Sequence, residues 1–210
     1  MKKILNGVLR YQRDISVEER QHLERLTSGQ RPEAMLITCA DSRIEPGRIT
    51  NTKPGELFIV RNVGNIVPVY GETDPHVSAA VEYAVDVLNV RHIIICGHTH
   101  CGAMDALLRP EILPPLPAVK AWLKNVGDLR RTDGPDALEH LVEQNVLTQI
   151  GHLRTYPSVA RLARRSELEI HGWVFDIATG CVRSWVQDEG RFVPLCGPAI
   201  TAEIREEAHA

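Results

Sequence analysis

Apolar residues along this chain take two patterns: short unbroken runs, and longer stretches where they recur every three or four positions. The run Ile93-Ile94-Ile95-Cys96 is wholly apolar and stops at Gly97. It reads as a strand buried on both faces, at about 92–96, with Gly97 and Gly102 supplying the turn that leaves it. A similar run, Ala34-Met-Leu-Ile-Thr-Cys39, predicts the first core strand at about 34–39. Leu57-Phe58-Ile59-Val60 predicts a second buried strand.

Helical periodicity fills the intervals. Residues 2–27 read as two amphipathic helices, with Ile4, Val8 and Tyr11 on one stripe and Leu23 and Leu26 on another. Preceding the first core strand, they are expected to wrap over a neighbour such as a second subunit. Val77, Ala80, Val81, Ala84, Val85 and Leu88 mark a helix packed on the sheet, capped by Asp74 with Pro75 in its first turn. Another helix is expected to start near Cys101, a long one spans Leu138 to Leu153, and a shorter one starts at Pro157. The stretch 109–117 holds four prolines and reads as a loop. Leu168–Phe175 is a further strand, with Ala178-Thr-Gly180 turning a hairpin into Val182–Val186. Strands alternating with helices predict an α/β fold, a mainly parallel sheet with helices on both faces. The expected organisation is one domain over 1–210: a helical arm at 1–33, an α/β core at 34–197 and a solvated tail at 198–210.

Composition narrows the function classes. With 210 residues, 43% of them apolar, a sizeable core is available. A net charge of −3 without a Lys/Arg block leaves no footprint for nucleic acid. No apolar run approaches the ~20 residues of a membrane span. The opening Met1–Arg10 mimics a signal peptide only briefly, since Asn6 and Arg10 break it and charge follows, so a cytoplasmic protein is expected. The five cysteines are Cys39, Cys96, Cys101, Cys181 and Cys196, and an odd count favours thiols and metal ligands over a disulfide framework.

Function in open α/β sheets collects at the carboxyl ends of strands. Cys39, His98 and Cys101 all fall at or just past such ends. Two thiolates and one imidazole suit zinc, and three protein ligands leave a fourth position for water, as in catalytic sites. Singly, each residue is a weak signal, because a buried Cys is usually a small hydrophobe. Their joint placement at two strand ends is what points to a metal. Cys96 lies within a strand and reads as core, Cys181 and Cys196 as structural, and His100 receives no role. Asp41 and Arg43, two residues apart, form a charge-assisted pair if their loop is extended. This pair is either a surface contact of little worth or a clamp holding Asp41 ionised beside the metal. Asp41 can also take the fourth zinc position itself and shut the site.

Cys39-Ala-Asp41-Ser-Arg43, then Arg61-Asn62-Val-Gly-Asn65 and Gly97-His98-Thr-His-Cys101-Gly102, together resemble a β-class carbonic anhydrase. The likeness runs from the N-terminal helices to about Pro194 and includes His171-Gly172-Trp173-Val174. It implies one zinc ion per chain held by Cys39, His98 and Cys101, an Asp41–Arg43 dyad, and reversible hydration of carbon dioxide to bicarbonate by zinc-bound hydroxide. It also implies a homodimer embraced by the N-terminal helices, often assembled further into tetramers or octamers. Plant-type members carry a substrate-binding Gln nine residues before the first Cys ligand, where Gln30 stands here. The family's apolar substrate pocket matches Phe58, Val63 and Tyr83, with Gly102 beside the zinc. Members switched off by a second bicarbonate site carry a Trp where this chain has Leu36, which places it in the plant-type, non-allosteric subgroup. Val87 stands where certain plant members have a His for proton export, and Thr73-Asp74-Pro75-His76 replaces a Gly-rich turn.

Three other readings compete. The same fold and metal could act on carbon disulfide. A closed zinc module with Asp41 as permanent fourth ligand would leave Arg43 idle. A redox protein would want a C-x-x-C pair, which is absent.

Overall fold

The computed structural model describes residues 1–71 and 75–195. Its single six-stranded sheet runs in the order β2 (Leu57–Asn62), β1 (Ala34–Cys39), β3 (His92–His98), β4 (Glu169–Phe175), β5 (Val182–Val186), β6 (Arg191–Pro194). The first four strands are mutually parallel and the last two antiparallel. The helices are α1 (Lys2–Asp14), α2 (Val17–Leu26), α3 (Pro46–Ile49), α4 (Pro75–Glu82), α5 (Gly102–Leu108), α6 (Pro117–Trp122), α7 (Ala137–Leu153) and α8 (Pro157–Ala163). This is the α/β fold that the alternation predicts.

β1 and β3 are central, and all six residues of β1 are buried, as expected of strands covered on both sides. Met35, Ile37, Ile93 and Ile95 share one large core with Val77 and Val81 of α4, Met104 of α5, Val146 of α7 and Val159 of α8. Two strand glycines let α7 come close. A Cβ on Gly97 would stand 2.9 Å from Val146 Cγ2, and one on Gly172 would stand 2.9 Å from Ile150 Cδ1.

Helices were expected on both faces, but the cover is lopsided. The cluster on the other face consists of strand residues alone: Ala34, Leu36, Ile94 and Cys96, shielded by the bulk of Leu57, Trp173 and Phe175. Large side chains from neighbouring strands do there what a helix does opposite. Neither α1 nor α2 buries any residue.

Other expectations need correction. The apolar run Leu57–Val60 predicts a buried strand, yet β2 is the sheet's edge, with only Val60 buried and Ile59 43% exposed. An apolar run reports that a strand wants covering, not that its own chain covers it. β3 extends two residues further than its apolar run, so His98 is its last residue. The proline-rich loop gives way to α6 at Pro117, and β6 was not foreseen. α4 runs into a wider turn at Tyr83–Val87, where the Leu88 amide reaches back to the Tyr83 carbonyl at 2.9 Å. Cys181, expected to be structural, takes part in a disulfide that the odd cysteine count does not suggest, while Cys39, Cys96 and Cys101 are free. Asp74, the Thr73–Asp74 part of the altered turn, Cys196 and the tail at 198–210 lie outside the described residues.

Candidate metal centre

Register brings the carboxyl ends of three strands level: Cys39 pairs with Asn62, and Thr38 with both Arg61 and Cys96. The chain leaves β1 and β3 in turns that fold over this end. Cys101 then follows His98 closely enough, through His100 at φ +56°, to sit at the start of α5. Cys39, His98 and Cys101 are all buried, and their ligand atoms lie within 4.8 Å of one another.

Each donor is held. The Gly64 amide donates to Cys39 Sγ at 3.3 Å. His98 Nδ1 lies 2.9 Å from the Thr99 carbonyl, which can only accept, so Nδ1 carries the proton and Nε2 keeps its lone pair. That Nε2 is fully buried and has no hydrogen-bond partner. A buried polar atom without a partner is costly, and a cation among the thiols would satisfy it. The thiols tell the same story. Cys39 is pushed well below its ordinary pKa by the Cys101 thiol hydrogen-bonded to it, against the cost of burial, with help from His98 and the Gly64 amide. Cys101 is pushed up by that neighbouring negative charge and by burial. The two sulfurs thus favour opposite protonation states, and a cation between them would let both ionise. Two thiolates and an imidazole suit zinc.

Asp41 stands at the rim, with Oδ2 3.8 Å from His98 Nε2. Arg43 grips it at both oxygens, Nε at 2.9 Å and Nη2 at 2.7 Å, and the Arg43 amide adds a third bond at 3.0 Å. These bonds hold the carboxyl well below the usual carboxylate range. Arg43 is braced in turn, its Nη2 donating to the His100 carbonyl at 3.0 Å. The pair lies at the metal cluster, and the Asp41 carboxylate faces Arg43.

Sequence reasoning gave Arg61 and His100 no role. Arg61 donates to the carbonyls of Cys39, Asp41 and Ile44, clamping the loop that carries both Cys39 and Asp41. His100 serves through its backbone. Asn62 bonds the amide and carbonyl of Ile66, tying off the turn around Gly64. Asn145, buried in α7, donates to the Gly64 carbonyl at 2.9 Å and accepts from Gln149. Buried amides within an apolar helix stripe were the available signal.

The residues expected to handle substrate separate into two groups. Val63, 44% exposed, and Gly102 lie beside the cluster, next to Gly64 and Cys101 in the chain. Gln30, Phe58 and Tyr83 do not. Phe58 sits near the start of β2, level with Met35, and Gln30 precedes β1 altogether. Tyr83 lies 5.9 Å from Phe58 between ring centroids and lines a groove with Gln30, Leu26, Gly55 and Leu88. That groove is at the amino end of the sheet, roughly four strand residues or ~13 Å from the metal end.

Residues 34–182 match the family profile described as carbonic anhydrase. The chain belongs to the carbonic anhydrase family. A carbonic anhydrase of Pseudomonas aeruginosa is 43% identical over 93% of this chain and 92% of its own length. The solved β-carbonic anhydrase CcaA superposes with a TM-score of 0.87 at 36% identity, over 92% of this chain and 98% of its own. A tetrameric β-carbonic anhydrase from the ascomycete Sordaria macrospora gives 0.69 at 28% identity, over 87% of this chain and 95% of its own.

Proposed function

We propose that this carbonic anhydrase family member hydrates carbon dioxide reversibly to bicarbonate and a proton, using one zinc ion per chain held by Cys39, His98 and Cys101. The observation that carries the reading is the unpartnered, buried His98 Nε2 between two thiols and an arginine-clamped Asp41. When bound, zinc supplies a water acidic enough to become a nucleophile near neutral pH. Asp41, kept ionised by Arg43, can only accept a hydrogen bond. It would therefore accept the hydrogen bond that the nucleophile's O–H donates, and so hold that oxygen with a lone pair turned toward the substrate. Two thiolates offset the metal's charge, so the water ionises later than beside three histidines and activity rises into the alkaline range.

Carbon dioxide is small and apolar, and Val63 with Gly102 offers it an uncharged wall. Gln30, Phe58 and Tyr83 would complete the pocket from a second copy of the chain. Three features support that assembly. They lie at the wrong end of their own sheet, α1 exposes Ile4, Leu5, Val8, Leu9 and Tyr11, and the apolar edge β2 is unpaired on one side among the described residues. The solved relative named tetrameric agrees with it. Leu36 is buried where a switching Trp would stand, which supports the plant-type, non-allosteric subgroup.

Stopped-flow hydration of carbon dioxide on zinc-loaded protein at alkaline pH tests the reading. Fast turnover that Asp41→Ala slows by roughly 10–100-fold is expected. One zinc per chain without turnover would instead mean a closed zinc module or another substrate.

A further inference from the structure

A second cluster of metal-binding side chains lies apart from this centre, at the amino ends of β3 and β4. His92 opens β3 directly across from Glu169, and His171 stands two residues on from Glu169, so all three project from one face of the parallel pair. His92 Nδ1 lies 3.2 Å from His171 Nε2, and one carboxylate oxygen of Glu169 lies 3.8 Å from the first and 3.6 Å from the second. We propose that His92, Glu169 and His171 form a second divalent-metal site, of the kind that takes zinc with two imidazoles and one carboxylate.

The spacing carries this furthest. Three atoms so separated lie on a circle of radius about 2.1 Å, which is the distance zinc keeps from imidazole nitrogen and carboxylate oxygen. An ion near its centre is within bonding distance of all three, and small ring rotations turn the lone pairs onto it. Sheet register also fixes the backbones, so little order remains to be imposed when the ion arrives. The rings already stand 5.5 Å apart at 31°, with one nitrogen of each in hydrogen-bond contact with the other. In the metal-free state those nitrogens share one proton in a hydrogen bond, and a cation displaces that proton. Side chains of His92 and Glu169 are 49% and 66% exposed, so an ion reaches the site from solvent and keeps water on its open positions. Without thiolates, and with the ion in water, this site binds more weakly than the buried centre.

Equilibrium dialysis of the holoenzyme against zinc, read by metal analysis, tests the proposal. Two equivalents per chain are expected, of which His92→Ala/His171→Ala loses one and Glu169→Gln weakens one by about tenfold or more. Cobalt substitution separates the sites: the Cys-containing centre gives intense thiolate charge-transfer bands, and the second equivalent adds only weak bands of nitrogen and oxygen ligation. Retention of those thiolate bands by the double variant shows that it has folded. Saturation of the native chain at one equivalent, or a second equivalent that persists in the double variant, overturns the proposal and leaves a hydrogen-bonded histidine pair.

Discussion

The two ends of the central strands differ in how far one chain completes them. At the carboxyl end, Cys39, His98 and Cys101 are buried, their loops are clamped by Arg61, Asn62 and Asn145, and Asp41 is locked to Arg43. At the amino end, Gln30 and Tyr83 line an open groove with the Phe58 ring against Tyr83, and Tyr83 is 45% exposed. Donor geometry must be accurate to fractions of an ångström, so it is built from one polypeptide's turns. A wall for a small apolar molecule tolerates more play, and a partner surface can supply it.

The largest effects should come from the finished end. Cys39→Ser or His98→Ala is expected to bring hydration to background together with loss of the tightly held zinc, measured by stopped-flow and metal analysis on one sample. Asp41→Ala or Arg43→Ala should keep that zinc yet slow turnover by roughly 10–100-fold, the usual cost of losing a partner that orients metal-held groups. If Arg43→Ala turned over normally, the clamp would be a surface ion pair and nothing more.

The pH profile sharpens this. Arg43 depresses the Asp41 pKa, so the carboxylate is charged throughout the neutral and alkaline range. Removing Arg43 lets that pKa return toward about 3.9, still far below neutral. The alkaline rise should therefore keep its midpoint in Arg43→Ala while its plateau falls. A shifted midpoint would tie the rise to the dyad instead of the attacking water. For stability the sign is the same as for any depressed carboxylate: the pair contributes fully above the ordinary Asp range, and the contribution is lost as pH falls from there through the depressed value.

Smaller effects belong to the open end. Gln30→Ala should raise KM by about tenfold, in line with losing one hydrogen bond to a charged ligand, with zinc content unchanged. Smallest for chemistry is Gly97→Ala. Its new Cβ would press on Val146 and Val142, and urea unfolding should show a loss of about 1–3 kcal/mol.

Much of the finished end is legible in sequence, because β1 and β3 are buried on both faces and read as unbroken apolar runs that stop where the ligands begin. Asp41 and Arg43 are legible through their two-residue spacing. What stayed hidden depends on neighbours distant in the chain. Arg61 acts on carbonyls up to 22 residues away, and Asn145 on one 81 residues away. The apolar run of β2 looks the same whether its own chain or another covers it. The odd cysteine count pointed away from the disulfide at Cys181. His92 and Glu169 meet only once parallel register sets them side by side.

Co-expression of two impaired chains tests the division between the ends most directly. One carries Asp41→Ala and the other Gln30→Ala/Tyr83→Ala, and carbon dioxide hydration is followed by stopped-flow. If each metal centre is finished by its partner's groove, mixed dimers hold one intact site, and a random mixture regains about a quarter of native activity. Activity no higher than the average of the two parent variants would contradict the account and place both ends of the site within one chain.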